Sequence, residues 1–349
     1  MIPRTGQALT PLGLGCAPLG NLFAAMSDAA ARETVDTAWD LGFRYFDTAP
    51  LYGHTLSERR LGEALRHRDR GDFKVSTKVG RVLEACRDDA WTPSPASVAP
   101  WVDPARFVPR FDYTAKGMRQ SIHGSLERLG VAQVDLALIH DIGPTTHGAA
   151  AHRYWRQLID GGGLAELQAM RREGCVGGIG VGVNEWPVVL EVMKHAPLDC
   201  VLLAGRYTLL EQGALHPFLD ECLRAEVGVI IGGPFNSGVL ATGVEPGSAA
   251  PATFNYRPAP ADVLARVARL QRVCEAHGVA LPAAALQFPL AHPAVVSCVP
   301  GARDARELAA NVGWLSASIP DELWEDLRRH GLLAADAPTP SGANAGLGG

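Results

Sequence analysis

Eight short β-branched or apolar runs recur along the chain, at residues 12–17, 43–47, 73–78, 134–140, 176–182, 199–204, 227–232 and 294–299. Between them lie stretches with apolar residues at three- and four-residue spacing, such as 30–42, 56–68, 114–130 and 261–278, with Gly130 and Gly278 closing two of them. A strand followed by a helix returns the chain to the same end of the sheet, so this alternation imposes parallel strands. Eight such units in 349 residues predict an α/β fold, a (β/α)8 TIM barrel in a single domain. A doubly wound sheet usually has fewer strands. With 47% hydrophobic residues the chain can bury a core of that size.

Two stretches depart from the rhythm. Residues 80–112 carry Trp91, Trp101, Pro93, Pro95, Pro100, Pro104 and Pro109, and are too long for an ordinary βα loop. They are expected to form a lid over a substrate. Residues 334–349 are rich in Ala, Pro and Gly and nearly uncharged, so a flexible tail is expected after a barrel spanning 1–333.

The formal net charge is −5, and no segment interleaves Lys and Arg with aromatics, which argues against a nucleic-acid partner and for a small molecule. The first fifteen residues lack a basic start followed by an apolar run, and no apolar run approaches a bilayer span, so no membrane partner and a cytoplasmic location are expected. Seven scattered cysteines without a C-x-x-C pair read as reduced structural thiols. No His or Cys cluster has metal-ligand spacing. Oligomeric state is not legible.

In a barrel of this type, catalytic residues gather where the strands end. Asp47 and Tyr52 follow the second strand, Lys78 ends the third and His140 ends the fourth. A phenol with an ordinary pKa near 10 exchanges protons poorly at neutrality, and an adjacent ammonium lowers it. Lys78 can supply that charge, and Asp47 can hold the buried lysine ionised. His140 can then bond a substrate oxygen. The four form a site for moving protons at a carbonyl or alcohol.

The segments FRYFDTAPLYGHTLSERRLGEAL, VSTKVGR, SLERLGVAQVDLALIHD, GPFNSGVLATG and CVPGARDARELAANV resemble the aldo-keto reductase superfamily, in order and over nearly the whole chain. FDYTAKGMRQSIHGSLERLG, LIHDI and GIGVGVNEW are most similar to its branch of L-fucose, D-threo-aldose, L-galactose and pyridoxal dehydrogenases. The resemblance implies that Tyr52 is the general acid/base, that Lys78 and Asp47 tune it, and that His140 places the substrate oxygen during hydride transfer with a nicotinamide.

For the cofactor, the resemblance implies a carboxamide partner at Asn184, which here lacks the usual preceding Ser, and at Tyr207, with Ala204 in place of a common Gln. Gly233, Ser237 and Gly238 match a pyrophosphate loop, and Leu240 a residue that covers the cofactor. In PGARDARELAAN, family members that prefer NADP commonly carry Lys and Arg where this chain has Gly301 and Glu307, four residues before Asn311. A carboxylate there repels a 2′-phosphate, so NAD is expected to be preferred. NADP remains possible, because Arg303 lies close and Asp304-x-x-Glu307 forms a capping box that turns Glu307 toward the backbone.

The resemblance to that branch implies oxidation of the anomeric hydroxyl of an aldose to the lactone, with His54, Trp91, Trp101 and Phe107 as candidates to contact the sugar. Alternatives are oxidation of pyridoxal, reduction of small aldehydes, or a cofactor-sensing subunit with little turnover.

Overall fold

The computed structural model describes residues 1–88, 100–244 and 252–341. Its sheet has eight parallel strands in chain order: β1 (Leu14–Gly15), β2 (Tyr45–Asp47), β3 (Lys74–Val79), β4 (Val134–His140), β5 (Val176–Val183), β6 (Cys200–Ala204), β7 (Gly228–Gly232) and β8 (Val295–Val299). Each lies on one of the eight runs seen in the sequence. The sheet closes where Leu12 bridges Cys298 and Gly15 bridges Gly301, with Gly13 N–H donating to the Cys298 carbonyl at 2.9 Å. Strands buried on both faces read as unbroken apolar runs, and all seven residues of β4 are buried.

Tyr45, Leu136, Leu138, Cys200, Leu202, Ile230 and Val299 fill the barrel interior, and Ile2 and Leu9 join them. The glycine-rich β5 makes this filling possible. A Cβ on Gly178 would stand 3.0 Å from Leu136 Cδ2, and one on Gly180 only 2.2 Å from the Cys200 carbonyl oxygen. The larger cluster lies between strands and helices, where Ile122, Leu167, Val192 and Leu308 face inward. Each such side chain stabilises the fold by about 1.5–3 kcal/mol through burial.

The segment after β3 is not a loop throughout. Arg81–Ala85 pairs antiparallel with Phe107–Phe111, so the expected lid begins and ends as a β-hairpin. Val82, Leu83, Val108 and Phe111 have the β propensity that the many prolines between them obscured. Trp91, Pro93 and Pro95 lie outside the described residues.

Packing also continues past residue 333. Ala337 is 1% exposed, and Arg328 donates to its carbonyl at 2.9 Å. His216 lies 2.6 Å from Asp336. Low charge and small side chains suggested flexibility, but Arg328 and His216, on other elements, tie this stretch down. Residues 342–349 lie outside the described residues.

Candidate active site

The register of the strands brings the four polar residues to one end of the barrel. Asp47 pairs with Ser76, Lys78 with Leu138 and His140 with Gly182 in adjacent strands. Lys78 is the penultimate residue of β3, and its stem runs past Gly182, where a Cβ would lie 3.4 Å from Cε. Its ammonium donates to Asp47 Oδ2 at 2.7 Å and to the Thr48 carbonyl at 3.0 Å. Asp47 Oδ1 accepts from Ser76 Oγ at 2.6 Å, and Ser76 in turn meets the Tyr45 hydroxyl at 2.8 Å. Both members of the pair are almost fully buried.

Lys78 Nζ sits 4.6 Å from the centre of the Tyr52 ring, and the Tyr52 and His140 rings meet edge to face at 6.3 Å. Burial alone would push the lysine down, but Asp47 and then Tyr52 outweigh it and hold the ammonium charged. For Tyr52 the balance falls the other way. Burial raises the phenol above its ordinary value, and Lys78 offsets that rise without cancelling it. The lysine therefore acts in the expected direction, but the enclosed ring keeps its proton more firmly than sequence reasoning suggested. Burial holds His140 neutral, helped by the charges of Arg81 and Lys78.

Among the described candidates for substrate contact, Trp101 lies beside Tyr52. Its ring lies 5.6 Å from that of Tyr52, and its indole nitrogen is buried without a hydrogen-bond partner. The backbone at Leu22 bridges Trp101 and holds it there. His54 is instead turned to the hairpin, where Nδ1 lies 2.7 Å from the Phe107 carbonyl. Phe107 lies beneath the Arg59 guanidinium at 5.2 Å. Trp91 lies outside the described residues.

Three residues at this end were missed. Arg81 donates to Asp141 Oδ2 at 2.5 Å, and Asp141 adjoins His140. Tyr256, on the small hairpin Thr253–Pro258, meets Phe23 across 6.0 Å and is near enough for its ionisation to oppose that of Tyr52. The available signal was the charge in VGR and LIHD; for Tyr256 no pattern marked it.

At the cofactor end, Gly233 and Gly238 adopt positive φ of 55° and 105°. A Cβ on either would meet nothing nearer than 3.9 Å, so neither glycine is tightly packed against a neighbour. Such a loop suits a pyrophosphate. Ser237 uses its hydroxyl to accept from Tyr256 N–H at 3.1 Å, and Leu240 is fully buried in the shell between strands and helices. Asn236, also missed, ties this loop to the preceding one by accepting from Thr208 Oγ1 at 2.6 Å and donating to the Gly205 carbonyl at 3.0 Å.

Asn184 follows the end of β5, half-buried. The Tyr207 ring is fully buried, 5.2 Å from Phe288 and 5.7 Å from His292. Gly301 sits on the barrel closure, where a Cβ would stand 3.0 Å from Pro18 Cγ. Asp304 caps the helix Ala305–Leu315 by accepting from Glu307 N–H at 2.8 Å. The other half of the expected capping box goes to Arg303: Glu307 accepts its backbone N–H at 2.9 Å and its guanidinium at 2.6 Å. Asn311 is buried on the inner face of that helix.

Known proteins give this geometry a context. Over 95% of its length the chain is 41% identical to 96% of pyridoxal 4-dehydrogenase from Microbacterium luteolum. Over 96% it is 37% identical to 97% of D-threo-aldose 1-dehydrogenase from a Pseudomonas species. Its fold matches glycerol dehydrogenase from Gluconobacter oxydans with a TM-score of 0.73, at 22% identity over 98% of each chain. Residues 11–331 match the model of the aldo/keto reductase family. An eight-stranded barrel with a buried carboxylate–lysine pair against a tyrosine, matched by this family along almost its whole length, makes the chain a member of the aldo/keto reductase family.

Proposed function

We propose that this oxidoreductase is an NAD(P)-dependent dehydrogenase that oxidises the hydroxyl of a cyclic hemiacetal to a lactone, with an aldose of the L-fucose or D-threo type as first candidate. The observation that carries the chemistry is the enclosed Asp47–Lys78–Tyr52 arrangement beside a neutral His140. The substrate class rests on the two relatives named for pyridoxal and D-threo-aldose. These molecules share a feature: an aldose closes on its own hydroxyl, and pyridoxal closes on its neighbouring hydroxymethyl group, so both present a ring hemiacetal. One site could serve either.

Aldo-keto reductases use a nicotinamide dinucleotide, which when bound accepts the hydride from the substrate carbon. Gly233 and Gly238 would cradle its pyrophosphate, with Asn184 toward the carboxamide. Tyr52 takes the hydroxyl proton as the carbon–hydrogen bond breaks, and gives it back in the reverse reaction. Lys78 favours the phenolate form by its charge. Trp101 offers an apolar face and an unmatched indole N–H to the sugar ring. NAD is the preferred cofactor, because Glu307 is engaged with Arg303 and the position of a common NADP-binding Lys is the uncharged Gly301.

The test follows absorbance at 340 nm with NAD or NADP and L-fucose, D-arabinose, L-galactose or pyridoxal at mildly alkaline pH. Reduction of NAD with an aldose supports the first reading. A signal with pyridoxal alone moves the substrate to the aromatic hemiacetal. Silence with all four, despite cofactor binding, favours a sensing subunit.

A further inference from the structure

We propose that Arg206 is a further cofactor-binding residue, whose guanidinium meets the pyrophosphate of the nicotinamide dinucleotide that the dehydrogenase reading above requires, and whose role rests on that reading.

Arg206 follows β6 by two residues, at the same end of the barrel as Gly233, which follows β7. Residues 204–208, 232–244 and the hairpin 253–258 come together there. None of the three segments contains an aspartate or a glutamate. Arg206 Nη1 and Asn236 Nδ2 both donate to the Gly205 carbonyl at 3.0 Å, so the guanidinium lies within two hydrogen-bond lengths of Asn236, the residue before Ser237. Gly205 packs closely on the same side chain, where a Cβ would stand 3.3 Å from Asn236 Nδ2. Arg206 also donates to Asn255 Oδ1 on the hairpin at 3.1 Å. That hairpin is fastened to Ser237, whose hydroxyl accepts from the Tyr256 N–H and whose carbonyl accepts from the Thr253 hydroxyl.

Its charge balance sets Arg206 apart from the other cations at this end. Lys78, Arg81 and Arg303 are each held by a carboxylate, from Asp47, Asp141 and Glu307 respectively. Arg206 is half-buried, and among the described residues it bonds only neutral oxygens, both through Nη1. A guanidinium drawn out of water without a counterion is costly, and an anionic ligand removes that cost. Nε and Nη2 are left as the edge of the fork that can meet two oxygens of a phosphate. The positive φ of Gly233 and Gly238 suits a backbone that approaches the same group closely. A doubly charged ligand entering a chain of net charge −5 is drawn by such a local cation.

Calorimetric titration with NADH, NADPH and ADP-ribose at low and high salt tests this on the wild type, Arg206→Gln, Arg206→Lys and Asn255→Ala. Arg206→Gln should bind all three ligands about tenfold more weakly, since all carry the pyrophosphate. The deficit should shrink as salt rises. Arg206→Lys, which keeps the charge without the fork, should fall between Arg206→Gln and the wild type. Asn255→Ala, which loosens the hairpin and keeps the charge, should bind as the wild type does. A deficit confined to NADPH would move Arg206 to the 2′-phosphate, and one shared in full by Asn255→Ala would make it a tether for the hairpin. Either result overturns the proposal, as does equal binding of ADP-ribose by Arg206→Gln and the wild type. Arg206-dependent binding of ADP-ribose by a protein that oxidises none of the four substrates would sink the dehydrogenase reading and leave the pyrophosphate contact standing. An active enzyme whose Arg206→Gln variant binds NADH as the wild type does would do the reverse.

Discussion

At the scale of single residues, the site depends on a charged pair that burial makes expensive to break. Removing the ammonium in Lys78→Met leaves the Asp47 carboxylate, 3% exposed, with only Ser76 as a side-chain donor. Losing one partner of a buried pair costs about 3–5 kcal/mol, so urea unfolding of this variant should show a loss of that size along with lost turnover. Tyr52 gives a pH prediction. Its phenol is raised by burial, and oxidation needs it to take a proton, so kcat/KM for oxidation should climb with pH through the neutral and alkaline range. A profile already flat at neutral pH would contradict this. The four residues proposed to act were legible because each closes a strand or follows one within a few residues. Arg81 and Asp141 were not, because their pairing joins positions 60 residues apart and Asp141 turns on a left-handed backbone that sequence does not announce.

At the scale of elements, the strands were legible and the connections were not. Strand position follows from local composition, whereas the hairpin after β3 depends on pairing Arg81–Ala85 with Phe107–Phe111 across a proline-rich interval. Its first turn is tightly fitted. Gly80 has φ of 96°, and a Cβ there would lie 2.3 Å from Tyr113 Cε1. Gly80→Ala should therefore destabilise the protein by about 1–3 kcal/mol, and, by displacing Tyr113 from the His140 carbonyl, lower turnover as well. Thermal unfolding and kcat measure the two effects. The N-terminus of the helix Ala305–Leu315 carries the cofactor prediction. Glu307→Ala releases Arg303 and should raise kcat/KM with NADP relative to NAD by about tenfold, the equivalent of ~1.4 kcal/mol. An unchanged ratio would separate this ion pair from cofactor choice.

At the scale of the whole molecule, the histidines set how stability responds to acid. His140, His292 and His147 are all held below their ordinary value chiefly by burial, His147 to about 4. Their folded forms bind fewer protons than the unfolded chain, so their contribution is complete above about pH 6.5 and declines as pH falls below it. Exposed His216 acts oppositely, since Asp220 and Asp336 raise it, but solvent screens that interaction. Stability should therefore fall between about pH 6.5 and 4, and His140→Gln should flatten that fall. The barrel was legible at this scale because eight runs fix eight strands; the packing of residues 334–341 was not, because Arg328 and His216 supply it from elsewhere in the chain. The central claim is that Tyr52 moves the proton while a nicotinamide takes the hydride. The most direct measurement compares NADH formation at 340 nm by the wild type and by Tyr52→Phe, with cofactor binding measured on both. Wild-type turnover of a hemiacetal substrate, reduced about 10²-fold or more in a Tyr52→Phe protein that still binds NAD, is the outcome this mechanism predicts. Full turnover by Tyr52→Phe would contradict it.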